Sequence, residues 1–265
     1  MIVDFHCHAG RGELLDAPWN ASAPLAPYLR RANAAGIGLT VIVPPFNLDS
    51  GRANREVAGI VAEHPGRLVG FAWIHSRRDR GRVAQLVDDA VGRGLRGIKV
   101  HGKDALPTRE VCEAARRHRL PILVDVVAQA HPIDLMAPAY PDVAFVVAHL
   151  GSFADDWRAH QTVIDQLVRH PNVFADTSGV RRFDYLVQAV RRAGAGKLLF
   201  GSDGPWLHPA LELEKIRLLG LSRRDADRVM GGNALRLLRA TASVAHPRGT
   251  GTPRRRAAGP RLRSA

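Results

Sequence analysis

The sequence is poor in cysteine, in aromatic residues and in long apolar runs. It has two cysteines, Cys7 and Cys112, and aromatic residues make up 6% of its 265 residues. Two cysteines are too few for a disulfide framework, which favours a reducing compartment. No apolar run approaches the ~20 residues of a membrane helix, and the N-terminus has no secretory-signal pattern. We therefore expect a cytoplasmic protein that does not span a membrane.

Phosphate-binding loops and lysine are also scarce. No glycine-rich loop of the GxGxxG or GxxxxGK[ST] type stands between a predicted strand and the helix that follows it. The net charge is +13, yet only four of the 38 basic residues are lysine. Six arginines lie in residues 246–265, a Gly/Pro/Arg-rich segment without acids that is predicted to be a disordered tail. Because no aromatic residues alternate with the basic ones, nucleic-acid binding through this tail is the less favoured interpretation.

Short β-branched and apolar runs alternate with amphipathic segments along residues 1–240. Eight such runs occur, about 28 residues apart, and near-continuous apolar strands are typical of a parallel sheet that is buried on both faces. The runs are Ile2–Phe5, Leu39–Val43, Leu68–Ile74, Gly97–Val100, Ile122–Val126, Val143–Ala148, Val173–Ala175 and Lys197–Phe200. Eight β/α units predict an α/β fold of the (β/α)8 type, a TIM barrel forming a single domain over residues 1–240. An open doubly wound sheet is the alternative.

The segments between these runs carry the i, i+3, i+4 apolar spacing of helices. Three of them predict helices, over residues 83–91, 157–168 and 183–190. Ser222 and Asp225 form a capping box, which predicts a final helix that runs toward Leu238.

Titratable side chains follow several of the predicted strands at the end where a barrel carries its active site. The first strand ends in His6 and His8, the sixth in His149 and the eighth in Asp203. Residues i and i+2 of a strand share a face, so His6 and His8 should point together into the barrel mouth, with Cys7 directed toward the helices. Imidazole and carboxylate groups are good zinc ligands. The pattern predicts a metal site.

Five segments resemble the amidohydrolase superfamily, specifically its amidohydrolase-related branch of small metal-dependent hydrolases and decarboxylases. They are DFHCH at 4–8, GIKVH at 97–101, VAHLG at 147–151, FGSD at 200–203 and MGGNALRLL at 230–238. The resemblance covers roughly residues 1–240. It implies that His6, His8 and Asp203 bind a divalent metal and that Asp203 takes a proton from the metal-bound water. It also implies that His149 is a further ligand, or that it hydrogen-bonds this water.

One position departs from the family pattern. The family usually ends its fifth strand with a metal-binding histidine, and this chain has Asp125 there. Asp125 either binds the metal through oxygen or hydrogen-bonds a neighbour. Lys99 and His101 share the inward face of the fourth strand; Lys99 would bind a substrate carboxylate or, carboxylated, bridge two metals. His101 would bind metal or substrate. We therefore expect one or two ions, preferably zinc.

Further polar residues near the strand ends are weaker candidates for the pocket wall. They are His75, Asp176, Ser178, Trp206 and His208, with Arg181 and Arg182 as additional cations at the mouth. Four other histidines are expected on the surface of the outer helical ring, namely His64, His118, His160 and His170.

Together these features favour a metal-dependent hydrolase that acts on an amide, ester or lactone of a small substrate. The metal and Lys99 favour a substrate that carries a carboxylate. One alternative is a non-oxidative decarboxylase of the same branch, with the proton supplied by His101, Asp125 or His149. Another is a degenerate barrel that binds a ligand without turnover. A homo-oligomer is compatible with small barrels of this kind.

Overall fold

The protein is a TIM barrel, described here from a computed structural model for residues 1–13 and 21–242. The strands of the described residues are β1 (Ile2–His8), β2 (Gly10–Arg11), β3 (Ser22–Ala23), β4 (Ile37–Val43), β5 (Leu68–Gly70), β6 (Ala72–Trp73), β7 (Ile98–His101), β8 (Ile122–Asp125), β9 (Phe145–Val147), β10 (Val173–Asp176) and β11 (Leu198–Leu199). The helices are α1 (Leu25–Ala34), α2 (Ser50–Glu63), α3 (Val83–Gly92), α4 (Arg109–His118), α5 (Ile133–Ala139), α6 (Trp157–Arg169), α7 (Phe183–Ala193), α8 (Pro209–Leu218), α9 (Arg223–Asp227) and α10 (Asn233–Ala242).

The parallel strands close into a ring of eight. One sheet has the order β1-β4-β5 and another the order β11-β10-β9-β8-β7-β6. β5 and β6 are two parts of one barrel strand, interrupted at Phe71, whose N–H donates to the Ile42 carbonyl. On the other side the Phe5 N–H donates to the Phe200 carbonyl at 2.9 Å, which joins the last strand to the first. The eight predicted strands are confirmed.

Apolar residues form two layers, one inside the barrel and one between the strands and the surrounding helices. Val3, Phe5, Val41 and Phe71 belong to the inner layer. The outer layer holds the alternate strand residues together with the buried faces of the helices. Cys7 belongs to the outer layer, as predicted from its position between two histidines.

A β-bulge in β1 sets the direction of the two histidines. Strict alternation from Val3 and Phe5 would place Cys7 toward the interior and turn His6 and His8 outward. The pairing with β4 shifts register between Asp4 and Cys7, so that the strand gains one residue over its partner. An extra residue of this kind reverses the phase of the side chains that follow it. His6 and His8 consequently face the mouth of the barrel.

The C-terminal segment forms the predicted helix toward Leu238, with one irregular turn in it. The Ser222 hydroxyl accepts from the Asp225 N–H and caps α9, as expected from the capping box. A π-helical turn at Arg228–Gly232 then joins α9 to α10, as π-helical turns commonly occur inside α-helices. In this turn Gly231 packs against the carbonyl oxygen of Met1, and a Cβ at this position would overlap that oxygen.

Two histidines predicted on the outer surface are buried. His160 is fully buried, stacks on the Tyr185 ring at 4.6 Å and directs Nδ1 to the Leu150 carbonyl. His170 is 9% exposed, and its Nε2 lies 2.8 Å from Asp134. The surface prediction was wrong for both, because helix periodicity does not reveal a polar partner from a distant element.

Residues 246–265, predicted as a disordered tail, lie outside the described residues, and the domain boundary near residue 240 stays a prediction. Within residues 1–13 and 21–242, no helix combines the length and the apolar composition needed to cross a bilayer.

Candidate metal centre and substrate cavity

His6, His8 and Asp203 meet at the mouth of the barrel. Asp203 Oδ1 lies 3.2 Å from His8 Nε2 and 3.7 Å from His6 Nε2. One ligand atom from each of the three residues lies within 4.8 Å of those of the other two, and all three side chains are buried. The structure therefore brings together these three residues, which we call the triad, although almost 200 positions separate them in the chain.

The backbone at Asp203 is held in a left-handed conformation that directs its carboxylate toward the histidines. Its φ is +54°, and its N–H donates to the His6 carbonyl at 2.7 Å. His149 is likewise left-handed, with φ of +56°. Non-glycine residues in this region are strained, and such strain concentrates at functional sites.

The carboxylate of Asp4 fastens the two chain segments that carry the triad. It accepts from the His6 N–H in β1 and from both the N–H and the hydroxyl of Ser202 in the segment after β11. The Tyr28 hydroxyl donates to it at 2.6 Å and also contacts Thr40 Oγ1 at 2.9 Å. Asp4 is fully buried, and burial raises its pKa to about 7 despite these hydrogen bonds.

The hydrogen bonds of the two histidines leave their Nε2 atoms facing the triad. His6 Nδ1 donates to Asp176 Oδ2 at 2.9 Å, and His8 Nδ1 donates to the Pro44 carbonyl at 3.3 Å. A neutral imidazole that donates from Nδ1 keeps its lone pair on Nε2, which is the arrangement of a metal-binding histidine with an oriented ring. Two such nitrogens and one carboxylate oxygen form a donor set that suits zinc and other divalent transition metals. The residues present fit a divalent ion.

Burial keeps both imidazoles in the form that a metal requires. Burial and the ammonium of Lys99 lower the pKa of His6 to about 4, and burial lowers the pKa of His8. Burial alone would raise the pKa of Asp203, but its hydrogen bond with His8 and the charges of His6 and His149 lower it below the ordinary value. Neutral imidazole and ionised carboxylate are the ligand states, since metal binding requires deprotonated groups.

A hydrogen-bond cluster behind the triad connects His6 with His149. Ser178 Oγ lies 3.3 Å from His6 Nδ1, 3.0 Å from His149 Nδ1 and 2.5 Å from Asp176 Oδ1. His149 Nδ1 also donates to the Ser178 carbonyl at 2.9 Å. His6, His149 and Asp176 form a second group with ligand-type spacing. Both Nδ1 atoms already have carbonyl or carboxylate partners, so we interpret this group as support for the triad.

The other predicted site residues lie on the same mouth. Lys99 is 1% exposed, and its Nζ lies 3.0 Å from His6 Nε2, so a metal at His6 would replace this contact. Asp125 Oδ2 lies 3.2 Å from His101 Nε2 and 3.5 Å from His149 Nε2. Because His101 Nδ1 accepts from the Lys103 N–H, its Nε2 is the donor toward Asp125. Asp125 was predicted either to bind the metal or to hydrogen-bond a neighbour, and these contacts provide the neighbours that the second role requires.

Charge affects His149 and Asp125 in opposite directions. Burial disfavours the imidazolium of His149, yet the carboxylates of Asp125, Asp203 and Asp176 raise its pKa above the ordinary value. Burial disfavours the carboxylate of Asp125, yet His101, His149 and Lys99 lower its pKa well below the ordinary value. His149 is therefore suited to donate a hydrogen bond into the cavity.

The mouth cavity, with a volume of about 760 Å³, contains all seven predicted site residues. Four aromatic side chains contribute to its walls, namely Phe46, Phe153, Trp157 and Trp206. Trp206 packs on His8, with 4.4 Å between ring centroids. Lys103 and Arg158 also line the cavity. Of these residues only Trp206 was anticipated, because the local sequence does not show that the side chains of the others point into the cavity.

Several weaker predictions have different outcomes. Asp176 and Ser178 contact the histidines from behind. His75 does not line the mouth cavity; its Nε2 lies 3.8 Å from Asp104, and His208 caps α8 by accepting from the Ala210 N–H. Arg181 and Arg182 were wrong as mouth cations. They pair with Asp155 and Asp184, each at 2.9 Å, and do not line the cavity.

The fold and the site define a TIM barrel with a buried His-His-Asp cluster at the C-terminal ends of its strands. A family model described as amidohydrolase matches residues 3–240, and the chain belongs to this family. The family resemblance noted from the sequence motifs is confirmed. A comparison with curated protein sequences gave no significant match.

Solved structures with the same fold include metal-bound proteins. An amidohydrolase from Burkholderia multivorans with bound zinc has a TM-score of 0.74 and 18% identity, over 90% of this chain and 99% of that one. A 2,6-dihydroxybenzoate decarboxylase from Rhizobium has a TM-score of 0.69 and 16% identity, over 90% and 98%. A dihydroxybenzoic acid decarboxylase from Polaromonas, with manganese and the inhibitor 2-nitroresorcinol, has a TM-score of 0.65 and 18% identity, over 90% and 96%.

Proposed function

We propose that this protein is a metal-dependent hydrolase of a small substrate that carries a carboxylate, with one divalent ion held by His6, His8 and Asp203. The observation that carries the proposal is the orientation of the two imidazoles, each of which donates from Nδ1 and presents Nε2 to Asp203. Zinc or manganese in the fold neighbours supports a divalent ion. Zinc is our preferred metal, because two imidazoles and a carboxylate match its usual ligands.

The residues of the triad and those around it have different roles in hydrolysis. A divalent ion lowers the pKa of a water molecule and polarises a carbonyl group. Asp203 accepts the proton that the attacking water loses, since its carboxylate is ionised and lies within the cluster. His149 donates a hydrogen bond to the oxygen that becomes negative during attack. Asp176 and Ser178 keep His6 and His149 in position.

The cavity favours a planar or aromatic substrate with a carboxylate. Lys99 contributes a buried cation at the cavity floor, and Lys103 and Arg158 contribute two more. Phe46 and Trp206 provide apolar walls on which a flat group can stack. A carboxylate desolvated between such walls needs a cationic partner, and Lys99 is the buried one.

A Lys99→Met variant tests the carboxylate role. Removing a charge-assisted hydrogen bond of about 1.5–3 kcal/mol should raise the KM for a carboxylate substrate by about one to two orders of magnitude, roughly 13- to 160-fold. Hydrolysis of a neutral ester such as 4-nitrophenyl acetate should change much less. Equal effects on both probes would contradict a specific carboxylate contact.

Decarboxylation is the second candidate. It is supported by the raised pKa of His149, which can supply the proton that replaces carbon dioxide on the substrate carbon, and by decarboxylases among the fold neighbours. His101, whose Nε2 lies 3.2 Å from Asp125, is the alternative proton source. Asp125 itself is disfavoured in this role, because its neighbours hold its pKa well below the ordinary value and keep it ionised. A degenerate barrel without turnover is disfavoured, since the triad is complete.

The two reactions are separated by their products. The zinc- and manganese-loaded proteins should be offered 2-acetoxybenzoate, an aryl ester that carries a carboxylate, as the hydrolysable probe, with 4-nitrophenyl acetate as the neutral comparison, and 2,6-dihydroxybenzoate as the decarboxylation probe. Hydrolysis in H2(18)O places one heavy oxygen in the product acid, whereas decarboxylation releases carbon dioxide without net uptake of water. An Asp203→Asn variant with unchanged turnover would contradict the proposed proton acceptor. A homo-oligomer and a cytoplasmic location stay predictions.

A further inference from the structure

A second cavity lies beside the mouth, between the segment after β6 and the start of α4. Its volume is about 460 Å³, and we call it the arginine cavity. The residues that line it are Ser76, Arg77, Arg80, Ala105, Thr108, Arg109 and Glu110. No residue of the mouth cavity is among them.

The arginine cavity is electropositive. Within the described part of the chain, Arg77 and Arg80 have no carboxylate partner, and Arg109 has one distant contact, 3.9 Å from Glu113. Glu110 is the acidic residue of the lining, and the Gly81 N–H already donates to its carboxylate at 2.9 Å. Three guanidinium groups therefore border a space in which one acid partly offsets their charge.

The N-terminus of α4 opens onto this cavity without a side-chain cap. Thr108 occupies the N-cap position of this ten-residue helix, but its hydroxyl makes no capping hydrogen bond. The first N–H groups of an uncapped helix have no intrahelical acceptor, and together with the helix dipole they favour an anion.

An independent sign of an absent partner is the hydroxyl of Ser76. Ser76 lines the cavity and is 2% exposed, and its Oγ has no hydrogen-bond partner within the described residues. Buried hydroxyl groups are almost always hydrogen-bonded to protein or water, so this hydroxyl has a donor available for an oxygen acceptor bound in the cavity.

We propose that the arginine cavity is an oxyanion site that binds a phosphate group, a function separate from the metal centre. Arg77, Arg80 and Arg109 supply guanidinium donors, and the start of α4 supplies backbone N–H donors. Ser76 adds a hydroxyl. Phosphate matches this arrangement better than a single carboxylate, because its tetrahedral oxygens can accept from several directions at once.

One loop connects the arginine cavity to the mouth cavity. In residues 101–108, His101 and Lys103 line the mouth cavity, while Ala105 and Thr108 line the arginine cavity. A phosphate bound at one end of this loop lies next to residues that face the substrate. The phosphate can be free inorganic phosphate acting as an effector, or it can belong to an organic phosphate monoester.

The test is phosphate binding to the full-length protein by isothermal titration calorimetry, with inorganic phosphate and glycerol 3-phosphate as the two probes. We expect one site per chain. An Arg77→Ser/Arg80→Ser variant should bind at least about tenfold more weakly, as expected for the loss of charge-assisted hydrogen bonds. An Arg223→Ser/Arg224→Ser variant removes the same charge from α9 and should retain the wild-type affinity. Equal affinities for the two probes indicate free phosphate, and tighter binding of glycerol 3-phosphate indicates a monoester.

Two further variants separate this proposal from its competitors. Ser76→Ala should weaken phosphate binding without lowering the unfolding temperature, because the hydroxyl has no partner within the described residues. Lys103→Ser should leave binding unchanged, since Lys103 lines the other cavity. Absence of binding, equal loss in both arginine variants, or loss only in Lys103→Ser would overturn the proposal. None of these outcomes depends on metal loading or turnover, so the hydrolase proposal is tested separately.

Discussion

Replacement of Asp176 by asparagine should weaken metal binding although the side chain keeps its size. Asp176 is fully buried, and both of its oxygens act as acceptors. Oδ2 accepts from His6 Nδ1 at 2.9 Å, and Oδ1 accepts from the hydroxyl and N–H of Ser178 and from the His149 N–H. An amide has one oxygen, so its NH2 group must face one of these donor sets.

Either orientation of the asparagine disturbs the site. If the NH2 group faces His6, the imidazole must accept at Nδ1 and carry its proton on Nε2, which removes the lone pair that faces Asp203. If it faces Ser178, the donors that hold Ser178 and His149 lose their acceptor. Substitution of a group that orients a metal-binding histidine typically costs 10- to 100-fold in affinity. This corresponds to about 1.4–2.7 kcal/mol of binding free energy.

The assay is a competition titration of zinc between the protein and a chromophoric chelator. The matched control is Asp134→Asn, because Asp134 also pairs with a histidine, at 2.8 Å from His170 Nε2, but belongs to α5 and lies outside the mouth cavity. Wild-type zinc affinity in a folded Asp176→Asn protein would refute the assigned orientation of His6. An equal loss in Asp134→Asn would attribute the effect to general destabilisation.

Two further predictions concern stability. Tyr28→Phe removes the hydroxyl that donates to Asp4 and contacts Thr40, so the free energy of unfolding in urea should fall by about 1–3 kcal/mol; a change below 0.5 kcal/mol, on the order of a surface substitution, would contradict this role of Tyr28. Burial would raise the pKa of Asp134, but its hydrogen bonds, including that with His170, lower it below the ordinary value. Its stabilising effect is therefore present above about pH 4 and is lost as the pH falls through its folded pKa. Asp134→Asn should accordingly be less stable than wild type at pH 7, and this difference should shrink as the pH falls below about 4; a difference that stays constant would contradict the assignment.

The barrel was predictable because each of its strands is a contiguous run of apolar residues in the sequence. The run Val173–Ala175 lies within β10, and Ile122–Val126 overlaps β8 with a difference of one residue. The interruption of the third strand at Phe71 was not predicted. The part before Phe71 pairs with β4 and the part after it pairs with β7, and this change of partner is not visible in the local sequence. The π-helical turn before α10 was not predicted either; its Gly231 lies against the carbonyl oxygen of the distant Met1, a contact that the local sequence does not show.

The triad was also predictable in part. His6 and His8 share a face because of their spacing, but the direction of that face depends on the bulge in β1, which alternation from Val3 and Phe5 does not show. The partner that orients His6 is Asp176, 170 positions later. Hydrogen bonds between distant strands leave no local pattern, and so the supporting cluster could only be named as a group of candidates.

The cations of the mouth cavity show most clearly what could not be predicted from the sequence. Arg181 and Arg182 follow a barrel strand and looked suitable, yet each is paired with a nearby aspartate. Lys103 and Arg158 face the cavity instead. Net charge along the chain cannot show which cations line the cavity, because that is decided by side-chain placement.

Metal content per chain, measured by elemental analysis of protein purified without chelator, tests the central claim most directly. We predict about one equivalent of a divalent transition metal in the wild type. The metal should be lost from His6→Ala/His8→Ala and retained in His64→Ala/His118→Ala, which removes two histidines outside the mouth cavity. Wild-type protein that binds no metal after supplementation, or a His6→Ala/His8→Ala protein that keeps its metal, would contradict the metal centre.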